Sequence, residues 1–166
     1  MTLRTVKADI TKLKMDAIVN AANSALAGGG GVDGAIHRAA GMAELNAACA
    51  KIGGCPTGQA VITPGFKLPA KYIIHTVGPV YHGSQRDAEL LASCYEQSLN
   101  LAQEYKLHSI AFSAISTGVY GYPKKAAADI AGKTVKSWLE RHSDYSMDVA
   151  LVAFSDEQLQ LYQALL

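Results

Sequence analysis

The sequence predicts one soluble α/β domain: a mainly parallel sheet with helices on both faces. Its 166 residues suit a single core, taken here as one domain over residues 1–166. Strand-like runs alternate with helical ones throughout, with no linker, repeat or low-complexity segment between them. The unusual loops leave strands and enter helices, which is where parallel sheets bind their ligands.

Leu3–Lys7 alternates apolar and polar residues, as a half-exposed strand does, and Ala17–Asn20 is a short buried strand ending on a polar residue. Val32–Ala40 and Met42–Ala50 read as two short helices broken at Gly41. Gln59–Thr63 and Tyr72–Val77 are strands separated by a Pro/Gly loop. Asp87–Tyr105 carries Leu90, Leu91, Cys94, Leu99 and Leu101 at helical spacing and is the longest helix. Ser109–Ala114 is a strand, Lys125–Arg141 a helix, Asp148–Phe154 a strand and Glu157–Leu166 a closing helix. Helices interleaved in this way cover both faces of a mainly parallel sheet.

Hydrophobic residues make up 49% and charged residues 17%, the balance of a packed globular protein. Fifteen basic against 14 acidic side chains give +1, too even for bulk charge to hold nucleic acid, so no nucleic-acid partner is predicted. Phosphate binding must then come from local backbone geometry. No apolar run approaches a membrane span, and Met1–Thr5 leads into strand without a signal-peptide pattern. Cys49, Cys55 and Cys94 are odd in number and form no CxxC pair, which predicts a reducing, cytoplasmic compartment with neither disulfide framework nor structural zinc. Cys94 is expected buried and inert; Cys55, beside Pro56 in a loop, could be exposed, and nothing nearby argues for a catalytic thiolate. His75 and His82 lack metal-ligand spacing, so no metal is assigned.

The segment from Val19 to Gly34 leaves a buried strand and enters a helix. Four consecutive glycines, Gly28, Gly29, Gly30 and Gly31, are entropically expensive, and their benefit is close backbone approach to a phosphate. The helix N-terminus that follows favours anions. Neither a P-loop nor a dinucleotide fingerprint fits, because no Gly-Lys-Ser/Thr follows and no acidic residue closes a second strand. Asp33 fits two roles, a helix cap or a general base. Asn23 either contacts ligand or braces its own turn, and His37 falls one helical turn beyond Asp33.

Residues 114–123 again join strand to helix. Ser116 and Thr117 offer hydroxyls, Gly118 and Gly121 allow tight turns, and two such loops could grip a diphosphate from both sides. Tyr120 is expected at the ligand, while Tyr122 packs. Asp9 follows the first strand and is either a turn residue or the acceptor for an exocyclic amine; Phe154 follows the last and either joins the core, the commoner fate of such a ring, or stacks on a base.

Together Asp9-Ile10-Thr11, Val19–Asn23, Gly28–Gly34 with Ala35-Ile36-His37, His75–Pro79 and Ser116–Pro123 resemble the macrodomain family, and specifically its MacroD-type branch. The match spans nearly the whole chain in the expected order, with Ala8 where glycine is usual and Met42 where proline is common. The resemblance implies a three-layer α/β/α sandwich with a mixed sheet that binds ADP-ribose. It puts Asp9 and Ile10 at the adenine with Phe154 beside it, and Ser116, Thr117, Gly118, Val119 and Tyr120 around the diphosphate. Asn23, the Gly28–Gly31 turn and Asp33 surround the distal ribose, and Asn20 and Val32 are counted among the ligand contacts.

Enzymes of this branch deacetylate O-acetyl-ADP-ribose and release ADP-ribose from acidic protein side chains. The expected activity is therefore ester hydrolysis without a cofactor, probed against O-acetyl-ADP-ribose and ADP-ribosylated proteins, by a chain taken as a monomer. Asn23 would hold a ribose hydroxyl, and either Asp33 or a ligand phosphate would activate the water. The alternative is a non-catalytic ADP-ribose reader using the same pocket.

Overall fold

A computed structural model describes residues 2–166, so Met1 of the expected domain lies outside it. Six strands form one sheet: β1 (Thr2–Lys7), β2 (Ala17–Ala21), β3 (Ala60–Pro64), β4 (Tyr72–Thr76), β5 (Ser109–Phe112) and β6 (Asp148–Ala153). Their spatial order is β1-β6-β5-β2-β4-β3. Every neighbouring pair is parallel except β3 with β4, which makes the sheet mixed. The helices are α1 (Gly31–Ala40), α2 (Met42–Ile52), α3 (Gln85–Glu104), α4 (Lys124–Arg141) and α5 (Asp156–Gln163).

Alternation along β2 sorts its side chains between two cores. Ala17 and Val19 join Ile74, Phe112 and Leu151 beneath α3, α4 and α5, where Trp138 and Leu99 are buried. Ile18 faces the other way, with Ile73, Ala111 and Val152 beneath α1 and α2, which supply Ile36 and Leu45. The layers are thus helix, sheet, helix, as the element order predicts.

Most element ends shift by a residue or two, and local chemistry explains the larger differences. Helix α3 begins at Gln85 rather than Asp87, because Ser84 and Asp87 form a reciprocal capping box. Asp87 also accepts from the His82 amide at 2.6 Å, and that bond leads the causes holding its carboxyl below the usual range. Strand β5 stops at Phe112, where the Ser113 hydroxyl donates to the Val19 carbonyl at 2.7 Å. The two helices about Gly41 are separate because that residue has φ +111, a conformation L side chains rarely adopt.

Candidate functional site

The loops after β2, β5 and β6 meet at one end of the sheet. They enclose two adjoining cavities, of about 430 and 440 Å³, that share Gly31, Val32, Ala114 and Gly118 as common walls. A ligand crossing from one to the other must therefore pass between the start of α1 and the loop after β5.

The first cavity is lined by Ala8, Ile10, Thr117, Val152, Phe154 and Gln158, among others. Phe154 follows β6 and is 73% exposed, so its ring lies on the cavity wall instead of in the core. The next residues fix it: Ser155 caps α5, and the Gln158 side chain accepts the Phe154 amide at 2.9 Å. Ser155 and Gln158 have the spacing of a capping box, the one sequence signal of this brace, although Gln158 accepts from the amide one residue before the cap. Asp9 lies in the chain between Ala8 and Ile10, which line this cavity, without being a lining residue itself. Its Oδ1 accepts from the Thr11 hydroxyl at 2.6 Å and the Thr11 amide at 3.0 Å, which hold its carboxyl below the usual range. Lys124 and Ser113 also line this cavity, and nothing in their spacing singles them out.

The second cavity is lined by Asn23, Gly29, Gly30, Asp33, Gly78, Ser116, Val119 and Tyr120, with the shared walls. Gly28 and Gly31 have φ +78 and +56, so half of the glycine run uses the left-handed region that glycine alone enters freely. Gly34 is needed for another reason: a Cβ there would overlap the Gly29 carbonyl oxygen. The turn can lie back on α1 only because that side chain is missing.

Asn23 braces this turn. Its Oδ1 accepts from the Ala27 amide at 3.0 Å and its Nδ2 donates to the Gly28 carbonyl at 2.7 Å. Asp33 is not the cap of α1. That position is Gly30, with no side-chain cap, and Asp33 lies inside the first turn. Its Oδ1 accepts from Asn20 Nδ2 at 2.8 Å and lies 3.3 Å from His37 Nε2. With Oδ1 so occupied, Oδ2 is the oxygen nearest the glycine turn: a Cβ on Gly29 would stand 3.5 Å from it and 3.9 Å from Asn23 Nδ2. Gly29 thus leaves open the space between the two polar groups.

Two expected contacts take other positions. Asn20, counted as a ligand contact, is 0% exposed and lies beneath the cavity, holding Asp33 from below. The Ser116 hydroxyl, expected to face the ligand, donates to the Pro79 carbonyl at 2.8 Å. Ser116 has φ +66, and a Cβ on Gly78 would overlap its hydroxyl, so that glycine lets the two loops meet. Ser116 lines the second cavity with its hydroxyl hydrogen committed to Pro79. Thr117, Gly118, Val119 and Tyr120 follow it along the rim, and the Tyr120 carbonyl accepts from the Tyr81 amide at 2.8 Å. Tyr122 packs against Tyr81, with ring centroids 4.8 Å apart. Cys55, whose loop could have left it exposed, is buried like Cys49 and Cys94, because its amide is held by the Ser24 carbonyl at 2.8 Å. Burial raises all three thiols.

A family model described as Macro domain matches residues 19–131, more than half of the chain. A Macro domain-containing protein of Ralstonia nicotianae is 58% identical over 100% of this chain and 95% of its own length. ADP-ribose glycohydrolase MACROD2 of Xenopus laevis is 52% identical over 95% of this chain, which spans 38% of that longer protein. The Trypanosoma brucei macrodomain solved in complex with ADP-ribose superimposes with a TM-score of 0.91 at 42% identity, covering 98% of this chain and 68% of that one.

Proposed function

Because this chain belongs to the Macro domain family, we propose that it binds ADP-ribose across its two cavities and hydrolyses esters on the distal ribose. The substrates are O-acetyl-ADP-ribose and mono-ADP-ribose on acidic protein side chains. The adenine takes the cavity of Ile10 and Phe154, with Asp9 adjoining Ile10 in the chain. The diphosphate crosses the shared walls, between the Gly28–Gly31 turn with the start of α1 at Val32 and the Ser116–Tyr120 backbone. The distal ribose then reaches Asn23 and Asp33.

One observation carries the reading: Asp33 is anchored through Oδ1, so Oδ2 is left beside the open space at Gly29. A water there is oriented by Oδ2 and attacks the ester carbonyl carbon. Its proton passes to Asp33, the bond from that carbon to the ribose oxygen breaks, and the ribose oxygen takes up a proton. Positioning supplies much of the effect, since the ester is already reactive. Amides of the glycine turn offset the negative charge that develops. Two related names support the reading, a glycohydrolase at 52% identity and an ADP-ribose complex of the same fold.

Among the described residues no helix is long and apolar enough to cross a membrane. Three free, buried cysteines fit a reducing cytoplasm, which is the proposed location, and a single chain of residues 1–166 acting as a monomer is the proposed unit. The decisive experiment incubates the protein with O-acetyl-ADP-ribose and with a protein ADP-ribosylated on glutamate, and weighs the products. Acetate and free ADP-ribose are expected. Binding of ADP-ribose by calorimetry without release of either product would establish the reader instead.

A further inference from the structure

Asp33 ends a buried polar chain that starts two strands away. Asn20 on β2 and His75 on β4 are register partners in a parallel ladder, so their side chains stand next to each other on the α1 face of the sheet. Thr63 lies two residues along β3 from Val61, the partner of His75, and so shares that face. Asn20 and His75 are fully buried and Thr63 nearly so. The contacts run from Thr63 Oγ1 to His75 Nε2 at 3.0 Å, from His75 Nδ1 to Asn20 Nδ2 at 3.2 Å, and from Asn20 Nδ2 to Asp33 Oδ1 at 2.8 Å.

The protons along this chain follow from the acceptors. A carboxylate can only accept, so Asn20 presents its amide nitrogen to Asp33. The same nitrogen faces His75 Nδ1, which must then be unprotonated and accept the second amide hydrogen. The single ring proton sits on Nε2 and is donated to Thr63. Asn20 Oδ1 is left buried without a partner, an arrangement the site tolerates because turning the amide over would set that oxygen against both acceptors. Burial first, and the charge of His37 second, lower the His75 pKa to about 3, so the ring stays neutral in its ordinary working range.

We infer that His75, fixed in its Nε2–H form by Thr63, is a positioning residue for hydrolysis: its Nδ1 locks the Asn20 amide and so aims Asp33 at the substrate. This rests on Asp33 acting in the hydrolysis proposed above. His75 touches neither cavity, so its loss should alter turnover and leave ligand binding alone. His75→Leu removes the acceptor, His75→Asn returns an acceptor oxygen near the place of Nδ1, and Thr63→Val removes the partner of the ring proton.

The test measures kcat and KM for ester release, ADP-ribose affinity and melting for all three variants. With His75→Leu, kcat should fall about 10-fold to 100-fold while KM and ADP-ribose affinity stay within about twofold. His75→Asn should recover most of the loss, and Thr63→Val should give an intermediate kcat. Nitrogen NMR of the wild-type ring should show Nδ1 bare and Nε2 protonated at neutral pH. A kcat unchanged in a folded His75→Leu variant overturns the proposal, as does a ring protonated on Nδ1. Should the wild type bind ADP-ribose yet release no product, the hydrolase reading fails, and with it the positioning role; the ring NMR still reports whether the chain exists.

Discussion

Asn20 Nδ2 donates to Asp33 Oδ1 over 2.8 Å in the interior, joining the last turn of a central strand to the first turn of the helix that follows the glycine run. Thirteen residues separate the two in sequence. The bond lets a carboxylate stand at the mouth of a cavity with one oxygen committed to the protein and the other to what enters.

Replacing Asp33 by Asn keeps an acceptor for Asn20 and removes the base. Release of acetate or ADP-ribose should drop by about 100-fold or more, with ADP-ribose affinity within about threefold by calorimetry. Full turnover with intact binding would assign activation of the water to a phosphate of the ligand.

A methyl group at Gly34 would overlap the Gly29 carbonyl, so the glycine turn must lift away from α1. Gly34→Ala should cost about 1–3 kcal/mol of stability and weaken ADP-ribose binding by about tenfold or more. Melting and calorimetry read the two effects separately. Unaltered affinity would show that the turn does not touch the diphosphate.

Phe154 is exposed before any ligand arrives, so truncating it removes little from the core. Phe154→Ala should change folding stability by less than about 0.5 kcal/mol. If the ring carries the base, ADP-ribose affinity falls by about tenfold, within the roughly 1–3 kcal/mol that base stacking contributes. A variant that binds as tightly as the wild type would move the adenine elsewhere.

His75 has a native pKa lowered from 6.5 to about 3. In that interval the unfolded chain takes up a proton that the native ring refuses, so this group's contribution is full above 6.5 and is lost as pH falls toward 3. Denaturant titrations should show stability falling by up to about 1.4 kcal/mol per pH unit in that window from this group alone. A folded His75→Asn variant should lack that part of the slope; an unchanged slope would mean the ring is charged in the native state. The lowered carboxyl of Asp87 adds its own loss only nearer its ordinary 3.8.

Periodicity and turn chemistry determine much of this protein from sequence alone. The alternation at Leu3–Lys7, the buried run at Ala17 and the apolar spacing through Leu91, Cys94 and Leu99 give the element order and both helical layers, because each is a local pattern. The glycine run and Ser116–Tyr120 announce the two walls of the cleft for the same reason: conformations open only to small residues are written in single residues. Tertiary structure alone decided that β3 runs antiparallel at the sheet edge, since chain direction depends on how the connection returns. It also decided which side chains stay inside. Asn20 looks like a ligand contact in sequence and is a buried support for Asp33, and His75 gains its place only through register with Asn20. Such roles arise from which neighbour a strand pairs with across the sheet, and no local pattern records that.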